Sequence, residues 1–364
     1  MRWTIDDKVF MTRAWELALK GKGKTSPNPM VGAVVVRGNK IVGEGWHKKC
    51  GGPHAEIFAL QQAGQRAKGA TLYVTLEPCA HFGRTPPCVD KIIASGVKEV
   101  VIGIKDPNPL MNGKSIKKLQ RAGIKIRVGL LAEDLQRMNE SFLKYITIRR
   151  PFVVAKIAQT LDGKIATATG ESQWITSAPA REFTHHLRNE FDAILVGINT
   201  VLKDDPRLNA PSKRLKKIIV DSQLRLPVKA KLLAGVKPGD CIVAATAKSN
   251  LSKRKRLERK GIAVLVCPQK AGKVDLSYLL KELAKQEITS VLIEGGAQVI
   301  GNALKAKVVD KLHVLIAPKI MGDQRALTSV QGLNIQRLQD VVRLKNTTLT
   351  FLGEDILIDG YVVY

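Results

Sequence analysis

The stretch TLYVTLEPCAHFGRTPPCVDKIIASGVKEVVIGI, residues 71–104, decides the fold. TLYVTL (71–76) reads as a strand, CVDKIIASG (88–96) as a short helix closed by Gly96, and KEVVIGI (98–104) as a second strand. Two strands joined through a helix make a parallel pair with the helix laid across one face. Working outward, MVGAVVV (30–36) and IVGEGW (41–46) flank a hairpin turn around Gly38-Asn39. A helix over His54–Ala63 is stopped by Gly64, and SIKKLQRAG (115–123) and IKIRVG (124–129) add a helix and a strand. At the N-terminus, Phe10, Ala14, Leu17 and Ala18 recur at helical spacing, which makes this segment an amphipathic helix rather than a secretory signal.

After RRP (149–151) a new alternation starts with FVVAKIA and runs through DAILVG, KKIIVD, CIVAAT, IAVLVC, SVLIE and KLHVLIAP. It ends in NTTLTFLGEDILIDGYVVY, whose Gly353 and Gly360 indicate a β-rich edge or hairpin. The expectation is an α/β protein of two domains, 1–147 and 148–364, with mainly parallel sheets covered by helices.

Composition narrows the classes. Apolar residues make 45% and charged residues 25%, the balance of a soluble globular chain, and no apolar run approaches the ~18 residues that span a bilayer. Five cysteines in 364 residues form no disulfide framework, so reduced thiols and a cytoplasmic location are expected. The net charge of +27 invites a nucleic-acid reading. Against it, the excess is spread evenly: residues 1–150 carry 26 Lys and Arg against 12 Asp and Glu. At 5%, aromatics are too few for base-stacking platforms. A diffuse positive field also draws small phosphorylated molecules, which makes such a substrate the expected partner and a membrane or nucleic acid an unexpected one.

Cys79 and Cys88 stand nine positions apart among turn formers, each near a helix start, where unpaired N–H groups favour the thiolate. His54 in GGPHAEIFAL also opens a helix and is the third candidate ligand. Three protein ligands leave the fourth tetrahedral position to water, as in catalytic zinc sites. Cys50 or His81 as a fourth ligand would instead make a structural clip. Glu56, two residues after His54, could carry a proton from water to a leaving amine. H-x-E followed by P-C is the pattern of zinc nucleobase deaminases, although eight residues here separate the cysteines instead of two. Positions i and i+2 do not share a face of an ideal helix, so whether His54 and Glu56 meet one ion stays open at this level.

TSPNPMVGAVVV, GEGWH, PHAE, EPCAHFGRTPPC and DPNP together resemble the deaminase half of the bifunctional riboflavin-biosynthesis deaminase/reductases. The resemblance implies a cytidine-deaminase-like three-layer α/β/α domain, with zinc on His54, Cys79 and Cys88 and Glu56 as proton carrier. It further implies substrate contacts from Asn28, His47, His81, Arg84, Asp106 and Asn108. A lysine is usual in the family where Arg84 stands.

KIAQTLDGKIAT, GESQWITS, LRNEFDAILVGINTVLKDDPRL, VDSQLRLP and IEGGAQ are similar, in order, to the reductase half, a dihydrofolate-reductase-like α/β domain. That likeness implies NADPH contacts from Ala158, Trp174, Thr200, Asp204, Ser222 and the turn and helix Gly296, Ala297, Gln298, Val299, Ile300, Gly301 and Asn302. It implies substrate contacts from Ser172, Arg188, Leu208 and Glu294, with Lys156 near the reacting sugar. One position departs: the family usually continues DDP with Leu-Thr-x-Arg, whereas this chain reads Leu208-Asn209-Ala210-Pro211. The phosphate-facing arginine is missing there, and Lys213 or Arg214 would have to reach in. The reading is therefore zinc-dependent deamination of a diaminopyrimidine ribosyl phosphate, then NADPH-dependent reduction of its ribosyl group, by a homo-oligomeric enzyme. The competing readings are a nucleic-acid base deaminase with an accessory domain and a basic nucleic-acid-binding protein with a structural zinc.

Overall fold

Thr4 and Asp7 cap the first helix reciprocally: the Thr4 hydroxyl accepts from the Asp7 N–H and the Asp7 carboxylate accepts from the Thr4 N–H, each at 3.0 Å. The computed structural model describes residues 2–81, 87–109 and 111–364, and it resolves into two units, Met1–Arg149 and Arg150–Tyr364.

The first unit runs α1 (Ile5–Leu19), β1 (Gly32–Arg37), β2 (Lys40–Trp46), α2 (Ala55–Ala63), β3 (Thr71–Leu76), α3 (Cys88–Ala94), β4 (Glu99–Ile104), α4 (Lys114–Arg121), β5 (Lys125–Val128), α5 (Ala132–Met138) and α6 (Glu140–Ile148). Its sheet has the order β2-β1-β3-β4-β5. β3, β4 and β5 are parallel, as residues 71–104 indicate, but β1 is antiparallel to both β2 and β3. The β1–β2 pairing is the expected hairpin, and the antiparallel β1–β3 pairing is the departure from the mainly parallel expectation. The Gly38-Asn39 turn, with φ of 53° and 62°, reverses the chain, and the crossover through α2 then returns β3 in the direction of β2 on the far side of β1.

Helix α2 lies flush on β2. A Cβ built at Gly43 would stand 2.1 Å from the Ala59 carbonyl oxygen, and one at Gly45 2.3 Å from that of Ala55. Only glycine permits that approach. Asp7, besides capping α1, takes two bonds of 2.7 Å from Arg127 of β5 and one of 2.8 Å from the Tyr73 hydroxyl of β3. The Arg127 guanidinium holds the Asp7 carboxyl well below the ordinary carboxylate range, against the opposing effect of burial.

The second unit comprises β6 (Phe152–Thr160), β7 (Lys164–Ala166), α7 (Ala178–Leu187), β8 (Ala193–Gly197), α8 (Ile198–Asp204), β9 (Lys216–Val220), β10 (Cys241–Thr246), α9 (Leu251–Glu258), β11 (Ala263–Cys267), β12 (Gln269–Lys270), β13 (Lys273–Val274), α10 (Leu276–Lys285), β14 (Ser290–Glu294), α11 (Ala297–Lys305), β15 (Lys311–Ala317), β16 (Leu327–Thr328), β17 (Arg343–Leu352) and β18 (Asp355–Val363). Nine strands form one sheet, ordered β11-β10-β9-β8-β14-β6-β15-β18-β17, parallel from β11 to β15. The C-terminal hairpin adds two antiparallel strands at one edge, with Gly353 in its turn. Alternate residues feed opposite faces: Ala193, Leu195 and Ile218 enter one core, and Ile194, Val196 and Ile219 the other. Burial on both faces is why these strands read as unbroken apolar runs. Among the described residues, no helix is long and apolar enough to cross a membrane.

Candidate active sites

His54 is the residue that precedes α2, and its backbone is extended, with φ −79° and ψ 165°. This settles the i, i+2 question. The imidazole leaves from non-helical backbone, so it and Glu56, in the first turn, need not share a helical face. The nearby strand end and helix start bring in the sulfurs: Cys79 follows β3 and Cys88 opens α3. His54 Nδ1 lies 3.1 Å from Cys88 Sγ and 3.5 Å from Cys79 Sγ, and the Cys88 N–H donates to Cys79 Sγ at 3.2 Å. All three ligand atoms lie within 4.8 Å of one another. Among the described residues neither Cys50 nor His81 joins them, and all five cysteines are free thiols.

The cluster's protons are shared. The Cys88 thiol and the His54 ring, acting against burial, draw Cys79 down to about 4, while Cys88 is pushed up beyond the ordinary thiol range. A divalent cation bound between the two sulfurs would favour the thiolate on both and displace their protons. Glu56 is 2% exposed, and its Oε2 has no hydrogen-bond partner. Burial raises its carboxyl, with His54 opposing. An imidazole and two sulfurs, with an orphaned carboxylate oxygen beside them, fit a tetrahedral zinc whose last place takes water. His54→Ala is expected to lower bound zinc from about one per chain to none while the fold persists; metal analysis of the purified variant checks this.

The expected substrate contacts differ in how closely they surround the cluster. His47 is buried, its Nδ1 faces the Pro53 carbonyl at 3.1 Å and its Nε2 faces the Asn28 amide nitrogen at 3.1 Å. A carbonyl only accepts, so Nδ1 carries the proton and Nε2 accepts from Asn28. Burial lowers the His47 pKa, consistent with a neutral ring, and its edge meets the His54 ring at 5.2 Å. Asp106 is buried and pushed up to about 6, chiefly by desolvation, and accepts from the Asn108 N–H at 2.9 Å. His81 is exposed, with Nδ1 at 3.0 Å from Met111 Sδ. Arg84 lies outside the described residues.

Two supports escaped the sequence reading. Glu77, in the quoted EPC motif, accepts from the N–H groups of Asp106 and Gly113 and from the Ser115 hydroxyl, holding the 106–113 loop. Asn139, between α5 and α6, accepts from the Met30 N–H at 2.8 Å and donates to the Met30 carbonyl at 2.9 Å, fixing the loop that bears Asn28. Glu77 had a signal, an acid in a buried strand end. Asn139 had none, because its partner is 109 residues away.

The second unit holds a cavity of about 1310 Å³. It is lined by Lys156 and Ala158 of β6, by Ser172, Trp174, Arg188, Thr200, Asp204, Leu208, Ser222 and Glu294, and by Gly296, Ala297, Gln298, Val299, Ile300 and Asn302. Gly301 does not line it: a Cβ there would meet the Gln331 carbonyl oxygen at 1.8 Å, so this glycine serves helix packing. Trp174 is 64% exposed, with the Arg181 guanidinium 4.5 Å from its ring, so it is a wall of the cavity and not core. Lys213 lies 3.9 Å from Asp192 and Arg214 pairs with Asp240, and neither lines the cavity.

At the inner end, Arg188 grips Glu294 with two bonds, at 2.8 and 2.9 Å. Glu294 is paired in the parallel ladder with Lys156. Burial alone would raise the Glu294 carboxyl, but the Arg188 bonds and the Lys156 charge outweigh it and lower the pKa; burial also lowers the Lys156 pKa. At the other end, Gly295 and Gly296 both have φ of 86°, and Gly296 caps α11. A left-handed pair at a helix start points N–H groups outward, where an anion can be held.

Residues 4–104 match the cytidine and deoxycytidylate deaminase zinc-binding region, and residues 151–358 match the RibD C-terminal domain. The riboflavin biosynthesis protein RibD of Aquifex aeolicus (strain VF5) is 48% identical over 356 residues, 97% of either chain. The chain belongs to the RibD family. The Escherichia coli (strain K12) RibD is 40% identical over 369 residues, 97% of this chain and 98% of that one. Acinetobacter baumannii RibD, in its form 1 structure, superposes with a TM-score of 0.89 at 38% identity over 99% of both chains. The Thermotoga maritima protein described as a diaminohydroxyphosphoribosylaminopyrimidine deaminase/5-amino-6-(5-phosphoribosylamino)uracil reductase gives 0.84 at 36% identity over 98% of both. RibD proteins are bifunctional, and the two matched regions fall on the two units described above. The expected class, a cytidine-deaminase-like domain followed by a dihydrofolate-reductase-like one, is therefore the fold of this chain. Neither nucleic-acid reading is favoured by a RibD match that runs the length of the molecule.

Proposed function

We propose that the first unit hydrolyses the 2-amino group of 2,5-diamino-6-(5-phosphoribosylamino)pyrimidin-4(3H)-one and that the second reduces the ribosyl group of the product to ribityl with NADPH. The observation that carries the reading is the orphaned, buried Glu56 oxygen beside the His54, Cys79 and Cys88 cluster. When bound, zinc supplies the Lewis acidity that makes water a nucleophile near neutral pH. Glu56 accepts the proton that water gives up and delivers it to the departing amine. His47, Asn28, Asp106 and Asn108 orient the ring, with His81 and Arg84 assigned to the same substrate. Burial of Cys88, Glu56, His47 and Asp106 keeps bulk water from competing for these contacts.

In the second unit, NADPH supplies the hydride when bound, and the chain's task is alignment. Thr200, Ser222 and the Gly296–Asn302 segment lie at or just beyond the carboxyl ends of β8, β9 and β14, where open parallel sheets take nucleotides. Arg225 and Lys273 line the same cavity and supply positive charge suited to the extra phosphate of NADPH over NADH. Ala158, Trp174 and Asp204 complete the cofactor wall. Ser172, Arg188, Leu208 and Glu294 meet the substrate, and Lys156 donates or steadies the proton that accompanies reduction of the sugar carbon.

The test is incubation of the full chain with the diaminopyrimidine phosphate, following ammonia and cofactor oxidation separately. Ammonia is expected without NADPH, and NADPH oxidation only after ammonia. Cofactor oxidation with no ammonia, or neither signal from a zinc-loaded sample, overturns the reading.

A further inference from the structure

We propose that Arg207 is the phosphate anchor of the reductase cavity, replacing an arginine that this chain lacks four positions later, at Pro211. The proposal rests on the reductase reading above and concerns how that site holds its substrate.

A sugar phosphate needs a cation with donors free to bind it, and a guanidinium suits a phosphate best. Four arginines line this cavity, and three of them are already committed. Arg188 binds Glu294 twice and also donates to the Asn209 carbonyl at 3.1 Å. Arg181 donates to the Thr176 carbonyl and covers Trp174. Arg225 donates to the Asn199 side chain at 2.9 Å. Arg207 differs: it lines the cavity, is exposed, and makes no hydrogen bond or ion pair with any described residue.

Its loop is nevertheless fixed on both sides. Upstream, Asp205 accepts from the Lys231 N–H at 2.8 Å. Downstream, Leu208 is buried, and the Asn209 side chain accepts from Lys217 at 3.1 Å. The Asn209 carbonyl is held by the same guanidinium that grips Glu294, whose ladder partner is Lys156. Arg207 therefore stands on a pinned loop at the sugar end of the cavity, with its charge unspent. Lys213 and Arg214, the nearest cations in sequence beyond Pro211, are turned to Asp192 and Asp240.

The experiment measures NADPH oxidation by the full chain with 5-amino-6-(5-phosphoribosylamino)uracil and with its dephosphorylated counterpart. For Arg207→Gln, KM for the phosphorylated compound is expected to rise by about 10- to 100-fold, with kcat within about 3-fold of the parent. The dephosphorylated compound should react equally with both proteins, and Arg207→Lys should restore part of the loss. An unchanged KM for the phosphorylated compound overturns the assignment. So does an equal loss on both compounds, which marks a role in the fold or in cofactor binding. Failure of the parent protein to oxidise NADPH with either compound overturns the reductase reading itself, and this assignment with it.

Discussion

Glu56→Gln will keep its zinc and its fold while ammonia release falls by about 100- to 10,000-fold. The amide has nearly the shape of the carboxylate but cannot take and return a proton. Glu56 Oε2 is buried and without a hydrogen-bond partner, and the ligand cluster of His54, Cys79 and Cys88 holds no carboxylate that could stand in for it. The second unit should be untouched, so the variant given already deaminated substrate should oxidise NADPH at the parental rate. Retained ammonia release in a zinc-loaded variant would remove Glu56 from the chemistry.

A second large effect is expected at the other site. Arg188→Met strands the Glu294 carboxylate at 7% exposure with two lost bonds, which costs about 3–5 kcal/mol. Thermal or denaturant unfolding of the second unit should register this, and reduction should be lost with ammonia release intact. The sign with pH is diagnostic. In the parent the Glu294 pKa lies below its ordinary value, so its contribution to stability is present above the unfolded carboxylate pKa and is lost as pH falls. Without Arg188, only the Lys156 and His185 charges oppose burial, so the folded pKa rises relative to the parent and the variant should lose less stability than the parent as pH falls. Arg188→Met combined with Glu294→Gln should recover much of the loss. A variant as stable as the parent at neutral pH would show that the pair is not coupled.

Much of this was legible in the chain, for identifiable reasons. Strands β3, β4, β8, β10 and β14 could be read because each is buried in a sheet with helical crossovers, which leaves an apolar run near a glycine. The pairing of β1 with β3 could not, because alternation shows that a segment is a strand and not which neighbour it joins. Helices α5, α6, α8 and α10 were not anticipated from their patterns, and Asp275, which caps α10, became evident only with its hydrogen bonds to Ser277 and Tyr278. His54, Cys79 and Cys88 were readable because metal chemistry limits residue type so tightly. Whether Glu56 reached them depended on one backbone angle, the extended ψ of 165° at His54, which no side-chain pattern encodes. In the reductase cavity, spacing alone offered a Gly-Gly turn, and resemblance supplied the rest. It also carried Gly301 into the cofactor wall, although that glycine is required by the nearby Gln331 backbone.

The bare backbone of β2 at Gly43 and Gly45 has a bearing on how this metal centre could be lost. With no atoms between strand and helix, the imbedded first turn of α2 is referenced directly to the sheet, and the imidazole at its mouth inherits that datum. A single methyl at Gly45 would act as a shim, tilting the helix off its seat and drawing one ligand away from two sulfurs that stay behind. Such a lesion would touch neither ligand nor acid, yet would be read out as a chain that no longer retains its ion.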